Sequence, residues 1–424
     1  MTLFEELTWR GFVNQITHDE LARLIDMERF TVYCGFDPSA DSLHIGQILP
    51  ILLLRHFQRH GHKVIALVGG ATGMIGDPGG KTEERQLLSR EQVEANAAGL
   101  RGQLGRFLDF DGPNPATMLN NADWLAPLPL IDFLRDIGKH FSVNVMMARE
   151  SVRRRLEDRE HGISFTEFSY SLLQSYDFLH LHDTCDCRLQ VGGSDQWGNI
   201  VAGMDLTRRL RGTETFGLTF PLLTKSDGTK FGKSEAGAVW LDPARTSPYK
   251  MFQFFINQAD ADVPRLLRLL TNLPKDEIEA LEARCEEAPE ARDGQRRLAE
   301  EVTGLIHGEE ALQNAIRAAK AMFGGELRGL DDATLEDVFS EVPSTQLPRS
   351  ALAEQRPLID VLVDAGVFDS KGQARRMLRS GGLYLNNERV TAEDAVLGEA
   401  SLCSATMAVV RKGKKDYHLL RFAE

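Results

Sequence analysis

Thr31-Val32-Tyr33-Cys34-Gly35-Phe36-Asp37-Pro38, followed by His44-Ile45-Gly46-Gln47 and an apolar-periodic stretch to His60, decides the fold. Thr31 to Gly35 reads as a short strand, and the spacing beyond it predicts a helix from Ile45 to His60. Working outward, Lys63 to Val68 reads as a second strand, Arg188 to Val191 as a later one, and Asp195 to Arg211 as the helix after it. Strands alternating with amphipathic helices predict an α/β class with a Rossmann-like parallel sheet covered by helices. Ligands of such sheets sit beyond the carboxyl ends of the strands. Three loops leave those ends, Phe36 to His44, Gly69 to Lys81 and Gly192 to Gln196, and they are expected to converge on one crevice.

Two motifs nearly two hundred residues apart suit the phosphates of ATP. His44-Ile45-Gly46-Gln47 opens a helix, whose free N–H groups and dipole favour anions, and its imidazole and amide add neutral donors. Lys230-Phe231-Gly232-Lys233-Ser234, in the polar loop 225–234, adds two cations that can follow a departing pyrophosphate. The glycine-dense loop from Gly69 to Thr82 ends in Gly80-Lys81-Thr82, but a P-loop needs glycine where this chain has Ile75. Ala71 likewise breaks the dinucleotide pattern G-x-G-x-x-G counted from Gly69. A P-loop NTPase and a nicotinamide enzyme are therefore disfavoured.

The 424 residues, 42% hydrophobic and 26% charged, allow two or three domains with full cores. No run of about eighteen apolar residues exists, and Met1 to Arg10 carries Glu5 and Glu6 where an export leader has a basic region. No membrane association and a cytoplasmic location are expected. Five scattered cysteines, Cys34, Cys185, Cys187, Cys285 and Cys403, form neither a disulfide framework nor a zinc spacing, so no metal site is expected. The net charge of −13 argues against a general nucleic-acid coater. Residues 356–424 nevertheless carry 11 Lys/Arg against 9 Asp/Glu, a basic module on an acidic body, which suggests an anionic partner docking there.

From Ser247 to Met322 the pattern is helical only. Residues 324–355, with Gly324, Gly325, Pro343 and Pro348, read as a linker. The tail reads as two short helices, Leu358 to Ala365 and Lys371 to Ser380, then a strand at Leu383 to Leu385, an Asn386-Asn387 turn and further strand. The expected division is 1–246 catalytic, 247–323 helical, 324–355 linker and 356–424 terminal module.

Tyr33 to Pro38, the His44 motif, Gly76-Asp77-Pro78, Gly192 to Asn199 and Lys230 to Ser234 together resemble the class I aminoacyl-tRNA synthetases, within them the bacterial tyrosyl-tRNA synthetases. The likeness runs along essentially the whole chain and ends in what resembles an S4-type RNA-binding domain at Arg356 to Glu424. Two departures stand out. The family motif often ends in histidine where this chain has Gln47, and the lysine loop often reads K-M-S-K-S where this chain has Phe231-Gly232. An amide still donates a hydrogen bond, so the phosphate role can survive.

The resemblance implies that Tyr33 and Asp177 hold a phenolic hydroxyl, while Asp77, Tyr170 and Gln174 surround an ammonium group and Gln196 lies near the reacting carboxylate. Tyr170, Gln174 and Asp177 fall at i, i+4 and i+7, one helical face, and the flanking Phe168, Leu172, Leu173 and Phe178 argue against a solvated stripe. It further implies Cys34, Gly193 and Asp195 for the ribose, and Asp37, Ser39, His44 and Gln47 for the nucleotide and its phosphates. Lys81, Arg85, Lys230, Lys233 and Ser234 would embrace the pyrophosphate. The implied reaction is attack of the tyrosine carboxylate on the α-phosphorus of ATP, then transfer to the 3′ end of tRNA(Tyr). Mg2+ would enter only with ATP, with no tightly bound cofactor and no editing domain.

Lys371, Arg375, Arg376 and Arg379 on one helix, with Arg411, Lys412, Lys414 and Lys415 in a hairpin, suit an RNA backbone. Removing residues from 356 onward is expected to spare adenylate formation and cripple charging. A homodimer is also implied, with Phe133 to Phe141 and Ile163 to Phe168 as apolar candidates for its interface. Three other readings stay open, the first a nucleotidyltransferase that shares the His44-type motif but acts on another acceptor, which the helical and S4-like tail opposes. A tryptophanyl-type enzyme is opposed by the Tyr33/Asp177 pair, and a non-catalytic RNA-binding relative by the retained His44, Asp77, Lys230 and Lys233.

Overall fold

The computed structural model describes residues 1–77, 88–157, 162–234 and 237–423. Lys81 and Arg85 lie outside the described residues. The chain divides into two compact units, residues 1–245 with 258–294, and residues 246–257 with 295–424. This differs from the sequence reading. The helical stretch is shared between the units rather than forming a body of its own.

The first unit is built on a six-stranded sheet: β1 (Gln15–Ile16), β2 (Thr31–Phe36), β3 (Lys63–Val68), β4 (Thr117–Asn120), β5 (Cys187–Gly193) and β6 (Phe216–Phe220) in the order β1-β6-β5-β2-β3-β4. All pairings are parallel except β1 with β6. From β2 the chain winds outward through β3 to β4, then returns to place β5 on the other side of β2. The order therefore reverses between β2 and β5, which is where a doubly wound sheet opens its crevice. The sheet is covered on both faces, so its strands are nearly continuous apolar runs. Val64 to Val68 are all buried, as are Leu189 to Gly193.

His44 to Gln47 form a tight 3-10 turn, and the α-helix begins at Ile48 and runs to Arg59. Ile48, Leu49, Ile51 to Leu54 and Phe57 bury its inner side. The longest helix, Phe165–Cys185, starts on a Ser164 side chain that accepts from the Glu167 N–H, and ends at Asp186 in the left-handed region at φ 50°. Its first turn is tied by a buried pair. Both guanidinium amines of Arg155 meet the Glu167 carboxylate at 3.2 and 2.8 Å, and Arg155 Nε donates to the Gly162 carbonyl. Helix Trp197–Arg211 follows β5 through the turn Ser194–Gln196.

The short β7 (Lys233–Ser234) and β8 (Gly237–Ala238) form an antiparallel ribbon. In the second unit, β9 (Ser344–Pro348), β10 (Leu383–Leu385), β11 (Glu388–Arg389), β12 (Met407–Lys412) and β13 (Asp416–Ala423) make a sheet in the order β11-β10-β12-β13-β9. Asn386 and Asn387, at φ 53° and 63°, make the two-residue hairpin turn that the sequence predicts. Helices Leu358–Asp364 and Lys371–Arg379 pack on this sheet through Leu358, Leu362, Ala374 and Leu378. The linker reading is corrected here. Residues 324–355 hold the helix Asp332–Val338 and strand β9, which pairs parallel with β13, while Leu335 and Phe339 share a core with Val409 and Leu419. Its apolar residues are too few to show a period but enough to bury.

Candidate functional site

A cavity of about 250 Å3 opens at the β2/β5 reversal. Its wall includes Tyr33 to Asp37 from β2 and its loop, Gly69, Thr72 and Asp77 from the loop after β3, Asn121 after β4, and Gln190 to Gly193 with Asp195 and Gln196 from β5 and its loop. The predicted convergence of three loops therefore occurs, with a fourth contribution after β4. Tyr170, Gln174 and Asp177 of helix Phe165–Cys185 also line it, from one helical face.

Tyr33 and Asp177 are 1% and 2% exposed. The carboxylate of Asp177 accepts from Trp124 Nε1 at 2.8 Å and from Asn121 Nδ2 at 2.9 Å. Burial nevertheless outweighs these donors and pushes its pKa up to about 7. Burial, then the charge of Asp177, raises that of the Tyr33 phenol, so Tyr33 remains a hydroxyl donor. Among the described residues, Tyr33 Oη is a buried polar atom with no hydrogen-bond partner. A buried phenol without a partner beside a buried carboxylate is a costly arrangement unless something joins them.

Further along the wall, Tyr170 Oη donates to Asp37 Oδ2 at 3.2 Å, and Thr72 Oγ1 donates to Asp37 Oδ1 at 3.3 Å. Gln196 donates to Asp77 Oδ2 at 2.6 Å and accepts from Gln174 Nε2 at 3.2 Å. Two carboxylates, Asp37 and Asp77, with amide and phenol oxygens around them suit a cationic group. A Cβ at position 69 would stand 2.3 Å from Asp37 Oδ1, so glycine there is what lets the carboxylate occupy its place. Cys34 is buried and its thiol is pushed up to about 12 by desolvation, which keeps it a neutral weak donor.

The two motifs that the sequence suggests for phosphates are joined by backbone through Val239. Ile45 N–H donates to the Val239 carbonyl and Val239 N–H to the Gly232 carbonyl, both near 2.9 Å. Gly232 has φ +92°, and a Cβ there would lie 2.8 Å from Ile45 Cγ2 and 3.1 Å from the Gly46 nitrogen. Gly232→Ala is therefore expected to push the turn and the lysine loop apart. Stopped-flow measurement of the first chemical step should show a loss of about tenfold, with the far-ultraviolet dichroism unchanged.

His44 is not among the residues that line the cavity. Its Nδ1 accepts from the Gly46 N–H at 3.1 Å, and its ring meets Trp240 edge-on at 6.1 Å. Gln47 does line the cavity, while its Oε1 accepts from the His44 N–H at 3.2 Å. Ser39 and Lys230 are exposed and also outside the lining, and Lys233 and Ser234 contribute the backbone of β7. Sequence reasoning missed Thr72, Asn121, Trp124 and Gln190. Gln190 had a readable signal, an amide between Leu189 and Val191 in an apolar strand, and its Oε1 is buried without a partner. Asn121 had the signal of following a strand whose end faces the crevice.

In the terminal module the basic residues separate into two kinds. Arg379 is paired with Glu393, Lys371 with Asp360 and Lys412 with Asp416, while Arg411 donates to Asn387 and covers the Tyr384 ring. Arg375, Arg376, Lys414 and Lys415 remain exposed. Among the described residues no group of three or more His, Cys, Asp or Glu is placed to hold a metal ion, and no helix is long and apolar enough to cross a membrane.

Residues 26–324 match the family of class I tRNA synthetases (W and Y), and residues 334–420 match the tyrosine–tRNA ligase SYY-like C-terminal domain. The tyrosine–tRNA ligase of Geobacillus kaustophilus is 55% identical over the full length of both chains. That of Opitutus terrae is 52% identical over 99% of this chain and all of its own. Among solved structures, a C-terminally truncated mitochondrial tyrosyl-tRNA synthetase from Aspergillus nidulans is 31% identical, with a TM-score of 0.67, covering 74% of this chain and 92% of its own.

Proposed function

Because the chain belongs to the tyrosyl-tRNA synthetases of class I, ATP-dependent ligases that join tyrosine to tRNA, we propose that the cavity at the β2/β5 reversal is where tyrosine is both recognised and activated. The observation that carries this reading is the unpartnered Tyr33 hydroxyl beside Asp177. A phenol entering there donates to Asp177 and accepts from Tyr33, which satisfies both ends of one hydroxyl. Phenylalanine would leave both protein groups buried without it. Tyrosyl-tRNA synthetases are themselves the reference example of that kind of discrimination.

Asp77, Tyr170 and Gln174 then surround the ammonium group, with Gln196 close to the reacting carboxylate. The ribose of ATP is assigned to Cys34, Gly193 and Asp195, the nucleotide more broadly to Asp37, and the phosphates to Ser39, His44 and Gln47 with Lys81, Arg85, Lys230, Lys233 and Ser234. A carboxylate is already nucleophilic at neutral pH, so adenylate formation needs no general base. Positioning, and cationic donors that tighten as charge develops, supply the rate. Mg2+ accompanies ATP as part of the substrate.

The raised pKa of Asp177 tests the tyrosine assignment. The carboxylate must be ionised to accept from the substrate phenol, so the KM for tyrosine is expected to rise as pH falls through about 7, by up to about tenfold per pH unit, while the KM for ATP stays level. A flat tyrosine KM from pH 8 to 6 would contradict it. The sign for folding is separate. The folded carboxyl keeps a proton that the unfolded chain releases near pH ~4, so this group's contribution to stability is fully present below that pH and is lost as pH rises toward 7.

The basic residues of the terminal module are assigned to the tRNA backbone. Changing Arg375, Arg376, Lys414 and Lys415 together to alanine is expected to raise the KM for tRNA about tenfold or more and flatten its salt dependence, with adenylate formation unchanged. A homodimer is supported by the exposed Leu130, Ile131, Val143, Val145 and Phe165, a larger apolar set than a solvated face normally shows. Phe133 and Ile137, expected at that interface, are instead buried within the subunit against Leu172 and Leu179.

A further inference from the structure

The His180 ring lies nearly flat on the indole of Trp124, with centroids 4.3 Å apart and planes 18° from parallel. That same indole donates its Nε1 proton to Asp177 Oδ1 at 2.8 Å. Asp177 and His180 stand three residues apart on helix Phe165–Cys185 and so share a face, whereas Trp124 comes from the short helix Ala122–Leu125 after β4. One helix therefore holds the indole twice, by its N–H and by its face. A single hydrogen bond leaves a ring free to swing about the N–H direction, and a stack alone lets it slide. The two together fix where the donor points.

Several observations show that the stack is built in rather than incidental. His180 is followed by Tyr176 at 6.3 Å and Phe133 beyond it at 6.4 Å, so it is the inner member of an aromatic row that ends on Trp124. Burial holds the His180 pKa below its ordinary value against the opposing charge of Asp183, so the ring over Trp124 is uncharged at neutral pH. Asp183 itself accepts from Nε and Nη2 of Arg211, at 2.7 and 2.6 Å.

We propose that His180 is a positioning residue for substrate choice: by stacking on Trp124 it aims the indole N–H at Asp177 and so fixes the orientation of the carboxylate that reads the tyrosine hydroxyl. The proposal rests on the assignment of Asp177 to that hydroxyl. Only Trp124 and Asn121 donate side-chain hydrogen bonds to Asp177 among the described residues, so loosening one lets the carboxylate turn about the other.

In the full-length protein, His180→Ala is expected to raise the KM for tyrosine about three- to tenfold, the factor contributed by one aromatic pair, and to lower the tyrosine-to-phenylalanine ratio equally. The maximal adenylation rate and the KM for ATP should not change. His180→Phe, which keeps a flat ring and removes the imidazole nitrogens, should restore both values to within about twofold. In a Trp124→Phe background, where no N–H remains to be aimed, His180→Ala should add no further loss of discrimination. The proposal is overturned if the alanine variant keeps the wild-type tyrosine KM, if tyrosine and ATP affinities fall together, if phenylalanine rescues nothing, or if the same loss recurs without the indole. Asp177→Asn separates the two levels. An unchanged ratio in that variant removes the assignment of Asp177 itself, whereas a collapsed ratio with a silent His180→Ala removes only the role of His180.

Discussion

Asp177→Asn is expected to lower kcat/KM for tyrosine in pyrophosphate exchange by about 100-fold while leaving the much weaker use of phenylalanine nearly as it was. The magnitude follows from what is exchanged. A hydrogen bond to a buried charged group contributes about 1.5–3 kcal/mol, against about 1 kcal/mol for a neutral one. The asparagine also brings an N–H2 toward the donors Trp124 and Asn121, so one of its ends faces a like partner. Tyr33→Phe removes a neutral donor and should cost only about three- to tenfold. An equal loss for both amino acids in the Asp177 variant would mean that the carboxylate shapes the pocket without reading the hydroxyl.

Lys230→Ala and Lys233→Ala should each slow adenylate formation by about 10²–10³-fold and change tyrosine affinity by less than about threefold. The lysine loop reaches the His44 turn through Gly232 and Val239, whereas the cavity proposed to receive tyrosine is lined by β2, β5 and helix Phe165–Cys185. Among the described residues, that lining does not include Lys230. On the proposed assignment the work of the two lysines is confined to charge that develops on the phosphates, so they are expected to act on the rate and not on ground-state binding. Single-turnover adenylation alongside equilibrium tyrosine binding separates the two quantities. Parallel losses in rate and affinity would place the lysines in the amino-acid site instead.

Much of this arrangement was legible because short-range rules and topology agreed. The run Thr31 to Gly35 with its following helix fixed one βα unit, and the rule that ligands sit beyond strand ends pointed to the loops Phe36 to His44, Gly69 to Lys81 and Gly192 to Gln196, while Asp37, Asp77 and Gln196 within them were singled out by the family resemblance. Tyr170, Gln174 and Asp177 share a face because helical period is local. The misses have a different physical origin. Trp124 and Asn121 matter through long-range hydrogen bonds to Asp177, and nothing near them in the chain announces those partners. Residues 324–355 looked like a linker because β9 is a five-residue edge strand whose partner, β13, lies more than seventy residues away. The paired state of Arg379 and Arg411 was likewise invisible, since Glu393 and Asn387 come from other segments of the terminal module.

ATP–pyrophosphate exchange with each of the twenty amino acids tests the central claim most directly, because it reads recognition and activation of the amino acid at once. Exchange supported by tyrosine alone, with phenylalanine and tryptophan at background, is the predicted result. Comparable exchange with tryptophan or phenylalanine would contradict the account, as would none with any amino acid.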